Sequence, residues 1–313
     1  MDTSLLDYEL PPELIAQSPI EPRDASRLLV YRTAQGLIEH RRFCELPDVL
    51  GGELAVVNDS RVVPGRIRLE RRSGGLVEVL LVERLDGDGL WEGLTRPSRR
   101  LRVGERLGPV ELIEPLGGGR WVLRLEGEPA GEAPLPPYIH QQLQDESRYQ
   151  TVYAREAGSA AAPTAGLHFT PDLLRRVDHV TVTLHIGLDT FRPVTSSRLE
   201  DHVIHGERYS VEPDAWARVE GSDRVLAVGT SSVRVLETAA RTQELRGRTT
   251  LFVTPGFEFR RVDALVTNFH LPRSTLLALV MAFAGIDVIR ELYALAIAEK
   301  YRFYSFGDAM LVL

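Results

Sequence analysis

The segment RVLAVGTSSVRVLETAAR, residues 224–241, has the pattern of a short apolar strand that runs directly into a helix. The segment DALVTNFHLPRSTLLALVMAFAG, residues 263–285, repeats that order of elements. ELAVV (53–57) and VTVTLHI (180–186) are further short apolar strands. Apolar strands that alternate with helices are typical of an α/β domain. The sequence therefore predicts an α/β domain to which both ends of the chain contribute.

The middle of the chain follows a different pattern. In residues 64–126, apolar and polar residues alternate, and glycine-containing turns interrupt the alternation at short intervals. This pattern is typical of a small antiparallel barrel or sandwich. GEPAGEAPLPPY (127–138) is rich in Gly and Pro and predicts a linker. We therefore expect a discontinuous, barrel-like α/β domain, residues 1–62 and 137–313, with an inserted antiparallel β-barrel domain and its exit linker at 63–136.

Composition excludes several classes of protein. The chain has 313 residues, enough for two domains, and Cys44 is its only cysteine, so no internal disulfide or cysteine-ligated metal cluster can form. Lys300, the only lysine, lies in a charged helical stretch, which argues against lysine catalysis and against a Walker phosphate loop. The N-terminus lacks a signal-peptide pattern, and the longest apolar run, 276–286, is about half of what a bilayer requires. We expect a cytoplasmic protein with no membrane partner.

The net charge of -7 is unevenly distributed along the chain. Residues 61–106 contain eleven arginines and seven acidic residues, so this window carries +4 and the remainder carries -11. A basic β-barrel beside an acidic α/β domain can hold RNA phosphates on one face. A solvated barrel surface would have the same composition. Arg66, Arg99 and Arg100 are the candidate contacts to RNA.

Polar residues follow three of the predicted strands. Ligands of open α/β sheets bind beyond the carboxyl ends of the strands, where helix N-termini offer free N–H groups. Thr230 and Ser231 begin one helix, and one of them is the predicted cap. Asn268 and His270 follow a second strand, and His185 ends a third. A capped helix start and a structural histidine are the alternative interpretations of these positions.

Two loops carry further candidates. AAPTAGLHFT (161–170) contains His168 among small residues, which let backbone amides approach a ligand closely. Thr170 is the predicted cap of the helix that follows. NDSR (58–61) follows the strand ELAVV and is either a turn or a polar clamp.

The segment EDHVIHGE, residues 200–207, holds two histidines and three carboxylates. Such a cluster can ligate a metal or perform acid–base chemistry. Its spacing matches no zinc signature. A metal-dependent hydrolase that uses His202, His205 and Glu207 is therefore one alternative function, and a non-catalytic RNA-binding protein is another.

In this order, the segments resemble the S-adenosylmethionine:tRNA ribosyltransferase-isomerase family of queuosine biosynthesis. The resemblance spans essentially the whole chain. It rests on long segments in register, among them DYELPPELIAQ (7–17), NDSRVVPGR (58–66), AAPTAGLHFT (161–170), DHVIHGE (201–207), VGTSSVRVLET (228–238) and VDALVTNFHLPRSTLLALVMAFAG (262–285). Where the family usually reads HxGxGTF, this chain has HIGLDTF, so Asp189 replaces a glycine.

The resemblance implies an α/β domain with an inserted β-barrel, and it implies a specific reaction. The family transfers and isomerises the ribosyl part of S-adenosylmethionine onto 7-aminomethyl-7-deazaguanine at the tRNA wobble position. The products are epoxyqueuosine-tRNA, adenine and methionine. S-adenosylmethionine is then a consumed substrate, and no cofactor or metal is implied. The implied partners are S-adenosylmethionine and the tRNA that carries the modified base, and we expect a monomer.

Such a reaction requires a base, an acid for the departing adenine and a water-poor pocket. Histidines and one carboxylate are our catalytic candidates: His168, His185, His205, Glu207 and His270. The candidates for substrate binding lie at strand ends and in loops: Asn58, Arg61, Thr164, Gly166, Gly187, Thr190, Thr230, Ser231, Asn268 and Arg273. The sequence does not rank the histidines.

Overall fold

The computed structural model describes residues 1–187, 190, 193–204 and 206–313. The strands, in chain order, are β1 Arg27–Arg32, β2 Leu37–Arg42, β3 Leu54–Asn58, β4 Ser60–Val62, β5 Arg66–Glu70, β6 Leu76–Arg84, β7 Leu90–Arg96, β8 Arg106–Leu107, β9 Val110–Gly117, β10 Arg120–Leu125, β11 Glu156–Ser159, β12 His179–Leu184, β13 Glu207–Ser210, β14 Val225–Val228, β15 Arg246–Thr249, β16 Ala264–Asn268 and β17 Ala309–Val312. The α-helices are α1 Leu46–Val49, α2 Pro171–Arg175, α3 Pro213–Gly221, α4 Thr230–Thr242, α5 Thr275–Ala284 and α6 Ile286–Ala298.

Nine strands form one mixed sheet in the order β15-β13-β12-β3-β14-β16-β17-β1-β2. Four neighbouring strands, β12, β3, β14 and β16, run parallel to one another. The carboxyl ends of these four strands therefore meet at one edge of the sheet. The prediction of an α/β fold is confirmed.

Alternate residues of the parallel strands face opposite layers of the domain. On β3, Leu54 and Val56 pack in one hydrophobic cluster, whereas Ala55 and Val57 pack in another. The first cluster lies under α3 to α6, and the second lies under α1 and α2. Burial on both faces is the arrangement expected of parallel strands covered by helices. Within the described residues, none of the helices combines the length and apolar character that crossing a bilayer requires.

Strands β5 to β10 form a six-stranded antiparallel sheet in the order β5-β6-β7-β10-β9-β8. On β6, Val77, Val79 and Leu81 alternate inward and are fully buried. Arg71, just after β5, forms an ion pair with Glu105, just before β8, at 2.7 Å, so the two edge strands approach each other. The predicted antiparallel β-barrel is confirmed as a nearly closed sheet.

The chain enters and leaves this barrel at neighbouring points. The backbone N–H of Arg66 donates to the carbonyl of Glu132 at 3.0 Å, and the N–H of Glu132 donates to the carbonyl of Arg66 at 2.9 Å. The N–H of Gly131 also donates to the carbonyl of Pro64 at 2.8 Å. These bonds tie the first strand of the barrel to the segment that leaves it.

Ion pairs join the barrel to the α/β domain. Glu83 on β6 accepts from Nε of Arg208 on β13 at 2.9 Å and also pairs with Arg248 on β15. Asp86 accepts from Nη1 of Arg208 at 3.0 Å. Each partly exposed pair contributes little stability by itself. Together they hold one end of β6 against the edge of the large sheet.

Glu237 on α4 is a fully buried carboxylate that holds the segment leading into β16. It accepts hydrogen bonds from the backbone N–H groups of Arg260 at 3.0 Å, Arg261 at 2.9 Å and Val262 at 3.1 Å. The guanidinium of Arg241, one helical turn further along α4, pairs with the same carboxylate. One side chain thus satisfies three backbone donors and one cation.

We expect Glu237→Ala to lower the free energy of unfolding by about 3 to 5 kcal/mol, because the substitution leaves these donors without their buried partner. Urea unfolding followed by circular dichroism measures the change. Glu220→Ala, at an exposed position of α3, is the control and should change the free energy of unfolding by less than about 0.5 kcal/mol. Equal effects of the two substitutions would contradict the clamping role of Glu237.

Candidate active site

The carboxyl ends of the parallel strands open into a cavity, here called the first cavity. Its walls come from residues 161–165, the start of α4, the segment 267–271, and Tyr138 and Tyr304. A second cavity continues toward the barrel, where its wall includes Glu83, Glu92 and Arg120. Four of the described residues line both cavities: Thr190, Glu207, Arg234 and Leu276. The two cavities therefore form one groove between the α/β domain and the barrel.

The first turn of α4 faces the first cavity. Gly229 is the N-cap, with a φ of 87° that favours glycine, and no side chain caps the helix. The prediction that Thr230 or Ser231 is the cap is wrong, because both residues lie inside the first turn. Their side chains line the first cavity instead. The free N–H groups and the positive end of the helix dipole favour an anionic group of a ligand at this position.

An ion pair stands where the two cavities join. Glu207 pairs through Oε2 with Nη1 of Arg234, and its Oε1 accepts from the N–H of Gly187 at 2.9 Å. Arg234 also donates to the carbonyls of Leu251 and Thr249, each at 3.1 Å. Both charged side chains are largely buried, with exposures of 10% and 13%. Among the described residues, Glu207 is thus the acidic side chain that borders both halves of the groove.

A chain of hydrogen bonds fixes the orientation of Asn268. Its Nδ2 donates to the carbonyl of Tyr304 at 3.1 Å, and a carbonyl can only accept. The same Nδ2 lies 3.2 Å from Nε2 of His168, so Nε2 is the acceptor and the ring proton is on Nδ1. Nδ1 then donates to Oγ of Ser26 at 2.8 Å. His168 and Ser26 therefore position the Asn268 amide.

This orientation leaves Oδ1 of Asn268 buried without a partner among the described residues. A buried acceptor without a hydrogen bond is costly in free energy. Since Asn268 lines the first cavity, an N–H or O–H group of a bound ligand can supply the missing donor.

The predicted catalytic histidines occupy different positions. His270 lines the first cavity, His185 lines the second, and His168 lies outside both. His205 lies outside the described residues, as does Asp189. Burial lowers the pKa of His168 and of His270 to about 3, and it also lowers the pKa of His185. The three described rings are therefore neutral at pH 7.

His270 is held firmly in the wall of the first cavity. Its Nε2 shares a hydrogen bond with Oγ1 of Thr267 at 2.7 Å. Its backbone N–H donates to the hydroxyl of Tyr293 at 2.9 Å, and the hydroxyl of Tyr8 donates to its carbonyl. These contacts leave ring atom Nδ1 without a hydrogen bond within the part of the chain that the structure describes.

Nine of the predicted residues meet in the groove: Thr164, His185, Gly187, Thr190, Glu207, Thr230, Ser231, Asn268 and His270. Others have partners elsewhere. Both ends of the Asn58 amide bond the backbone of Leu184 at 3.0 Å, which ties β3 to β12. Arg273 pairs with Asp7 at 3.1 Å in the N-terminal segment. Arg61 is exposed on β4, and Gly166 packs so closely that an added Cβ would lie 1.9 Å from the hydroxyl of Tyr153.

Four described residues of this region were not predicted from the sequence: Ser26, Tyr138, Arg234 and Tyr304. Arg234 follows Thr230 by four residues, and that spacing places both on one helix face, so the pattern contained a signal for it. Tyr138 and Ser305 share a hydrogen bond of 2.6 Å between their hydroxyls, and burial raises the pKa of Tyr138 to about 12. No local pattern marks the tyrosines or Ser26, because their partners are distant in the sequence.

The metal-site alternative draws no support from the described side chains. Among them, no group of three or more His, Cys, Asp and Glu residues is arranged to hold a metal ion. The ring of His202 packs against Phe252 with a centroid distance of 5.7 Å, and Glu207 is engaged by Arg234.

Comparison with known proteins identifies the family. A sequence model described as "Queuosine biosynthesis protein" matches residues 3–312. The chain belongs to the queuosine biosynthesis protein family. The resemblance predicted from the sequence motifs is confirmed.

Two curated relatives and one solved structure match this chain over 99% to 100% of its length. A Rubrobacter xylanophilus protein named S-adenosylmethionine:tRNA ribosyltransferase-isomerase is 53% identical over 100% of this chain and 98% of its own length. A Thermotoga maritima protein of the same name is 48% identical over 100% of both. A crystal structure of S-adenosylmethionine tRNA ribosyltransferase from Thermotoga maritima covers 99% of this chain and 100% of that chain, at 40% identity and a TM-score of 0.58.

The buried neutral histidines predict a dependence of stability on pH. The unfolded chain binds a proton at each histidine near pH 6.5, whereas folded His168 and His270 bind one only near pH 3. Stability should therefore fall as the pH is lowered between these values, by about 1.4 kcal/mol per pH unit for each ring. Urea unfolding at several pH values in this window measures the slope.

We expect His168→Gln to reduce that slope by about 1.4 kcal/mol per pH unit, because it removes one of the two rings whose pKa in the folded protein is about 3. Ser26→Ala is the matched control: it deletes the hydrogen bond to His168 but keeps the buried ring, so the slope should persist. A slope that His168→Gln leaves unchanged would show that folded His168 binds its proton as readily as the unfolded chain does.

Proposed function

We propose that this chain is an S-adenosylmethionine:tRNA ribosyltransferase-isomerase of queuosine biosynthesis. The observation that carries the proposal is family membership over the full length, with relatives of that name at 47% to 53% identity. The groove supports it in physical terms. A ligand site at the carboxyl ends of parallel strands suits a nucleoside-sized substrate, and the second cavity leads to a barrel rich in arginine.

The proposed reaction transfers the ribosyl part of S-adenosylmethionine to 7-aminomethyl-7-deazaguanine at the tRNA wobble position. Epoxyqueuosine-tRNA, adenine and methionine are the products. S-adenosylmethionine is consumed as a substrate, and the proposal includes no cofactor or metal. A cytoplasmic location and a monomeric state remain predictions.

Three features of the groove support the binding of S-adenosylmethionine. The N–H groups at the start of α4 favour a carboxylate, which the methionine part of the substrate carries. The carboxylate of Glu207, which pairs with Arg234 and borders both cavities, is an acidic group that a sulfonium cation bound in the groove can approach. The free acceptor Oδ1 of Asn268 suits an amino or hydroxyl group of the substrate. Apolar side chains complete the first cavity and limit the access of water to the reacting atoms: Ala161, Leu184, Ile186, Phe269 and Leu271.

The candidates for acid–base catalysis are side chains that border the groove. In the proposed path, a base removes the proton from the ribose carbon next to the sulfonium, adenine leaves as the ribose opens, and the aminomethyl nitrogen attacks. Ring closure to the epoxide then releases methionine. Glu207, His270 and His185 are the described candidates for the proton transfers. His168 acts as a positioning residue through Asn268.

We expect the purified protein to release adenine and methionine from S-adenosylmethionine when tRNA bearing the modified base is present, with EDTA in the buffer. Mass spectrometry detects both products. Activity that EDTA abolishes would favour the metal-dependent hydrolase, and tRNA binding without consumption of S-adenosylmethionine would favour the non-catalytic RNA-binding protein. Either result would contradict the proposal.

We expect Glu207→Gln, His270→Asn or His185→Asn to slow single-turnover release of adenine by about 100-fold or more, the scale of a lost general acid or base. Glu92→Gln is the matched control, since Glu92 lines the second cavity from the barrel side and pairs with Arg120. Its rate should stay within a few-fold of the unsubstituted protein. If none of the three variants reaches that loss, the assignment of acid–base roles is wrong.

A further inference from the structure

One end of the barrel carries a group of arginines outside the groove, here called the distal arginine cluster. The turn after β5 and the loop before β8 contribute its five members: Arg71, Arg72, Arg99, Arg100 and Arg102. All except Arg99 line one surface depression, and Arg99 is adjacent in sequence to Arg100. Arg66, the third predicted RNA contact, begins β5 at its opposite end, has a buried Nε, and does not belong to the cluster.

Four of the five arginines in the cluster form no ion pair with an acidic side chain in the described part of the protein. Arg71 pairs with Glu105 at 2.7 Å and also donates to the carbonyl of Arg100 at 3.0 Å, so it anchors the loop before β8. The remaining members are exposed and have no ion pair within the described residues: Arg72, Arg99, Arg100 and Arg102. Four guanidinium groups are therefore available to an external anion.

Three exposed arginines of the barrel outside the cluster have acidic partners. Arg68 lies 3.9 Å from Glu78 and 3.6 Å from Glu132. Arg106 and Arg124 each lie 3.6 Å from Glu111. Arg84 and Arg96 are exposed and form no ion pair with the described residues, but they are single positions, whereas the cluster groups four such arginines.

The cluster is too far from the groove to contact a small ligand there. Glu83, near one end of β6, borders the second cavity, and Leu76 at the other end lies next to the turn that holds Arg71 and Arg72. Glu83 is seven residue steps along the extended strand from Leu76, which corresponds to roughly 20 to 25 Å. A single ligand that contacts both the groove and the cluster must therefore be a polymer with anionic groups along its length.

We propose that the distal arginine cluster binds backbone phosphates of the RNA substrate, away from the nucleotide that reacts. The proposal rests on the proposed function, which places the reacting nucleotide in the groove. Guanidinium groups bind phosphate with paired hydrogen bonds, and exposed arginines release counterions from RNA on binding. Such contacts fix the position and register of the RNA and do not read its bases.

An anionic membrane is the competing partner, because Leu76 and Val103 are exposed beside the cluster, at 71% and 64%. RNA is favoured because the cluster and the groove border opposite ends of one strand, β6. A polynucleotide that enters the groove brings its backbone to the barrel, whereas a membrane surface has no part in a reaction inside the groove.

The test compares two triple variants that remove the same charge from the protein. Arg99→Gln/Arg100→Gln/Arg102→Gln removes uncompensated arginines, and Arg68→Gln/Arg124→Gln/Arg218→Gln removes exposed arginines that have acidic partners and lie outside the depression. The affinity for unmodified tRNA is measured by fluorescence anisotropy between 50 and 200 mM salt, without S-adenosylmethionine. Thermal unfolding of both variants confirms that they remain folded.

We expect the cluster variant to lower the slope of log affinity against log salt by about 2, because each lost phosphate contact removes about 0.7 to 0.9. Its affinity for tRNA should fall by about tenfold or more, whereas the control should lose less than about threefold. Binding of S-adenosylmethionine should be unchanged in both. Equal loss in the two variants would overturn the proposal. So would retained tRNA binding together with lost binding to phosphatidylserine vesicles.

The test separates this proposal from the proposed function. If the unsubstituted protein binds tRNA through the cluster but releases no adenine, the cluster assignment stands and the proposed activity fails. If it releases adenine and the cluster variant binds tRNA normally, the activity stands and the cluster assignment fails.

Discussion

The parallel pairing of β12, β3, β14 and β16 is the constraint on which the rest of the structure depends. Backbone register aligns Val182 with Asn58, Val57 with Val228, and Val228 with Val266. Ladder hydrogen bonds therefore bring residues that are more than 200 positions apart in the sequence to one edge of the sheet. Several side chains of the groove lie at the ends of these strands or directly after them, among them His185, Thr230 and Asn268. These side chains lie close together because the strands that carry them are paired, and this proximity does not require the side chains to contact one another.

Local sequence patterns were sufficient to predict much of this architecture. The α/β class, the inserted barrel and the cap of α2 by Thr170 followed from periodicity and residue type, because these features depend on neighbours in the sequence. The cap of α4 did not follow from local pattern. Thr230 and Ser231 carry the hydroxyls that are typical of a cap, but the cap is Gly229, whose φ is positive. Asn58 and His168 are held outside the groove by partners that are distant in the sequence. Asn58 bonds the backbone of Leu184, and His168 bonds Ser26 and Asn268.

The signs of the charged side chains at the contact between the barrel and the α/β domain do not follow from net charges summed along the sequence. The window 61–106 carries +4, yet its residues Glu83 and Asp86 face the α/β domain, where they pair with Arg208 and Arg248. The contact between the domains thus has the opposite polarity to the net charge of that window. On β13, Glu207 and Arg208 are consecutive: the first borders the groove and the second holds the barrel. One short strand therefore connects the candidate catalytic region to the domain contact.

The meeting of Arg66 and Glu132 has an evolutionary consequence. Because the chain enters and leaves the barrel at adjacent points, the α/β domain has no gap to bridge where the barrel begins and ends. A segment whose two ends lie together can be accommodated as an insertion without displacing the strands of the large sheet. The sequence at the surface of the barrel can therefore vary more freely than that of the nine-stranded sheet, whose parallel strands are packed on both faces.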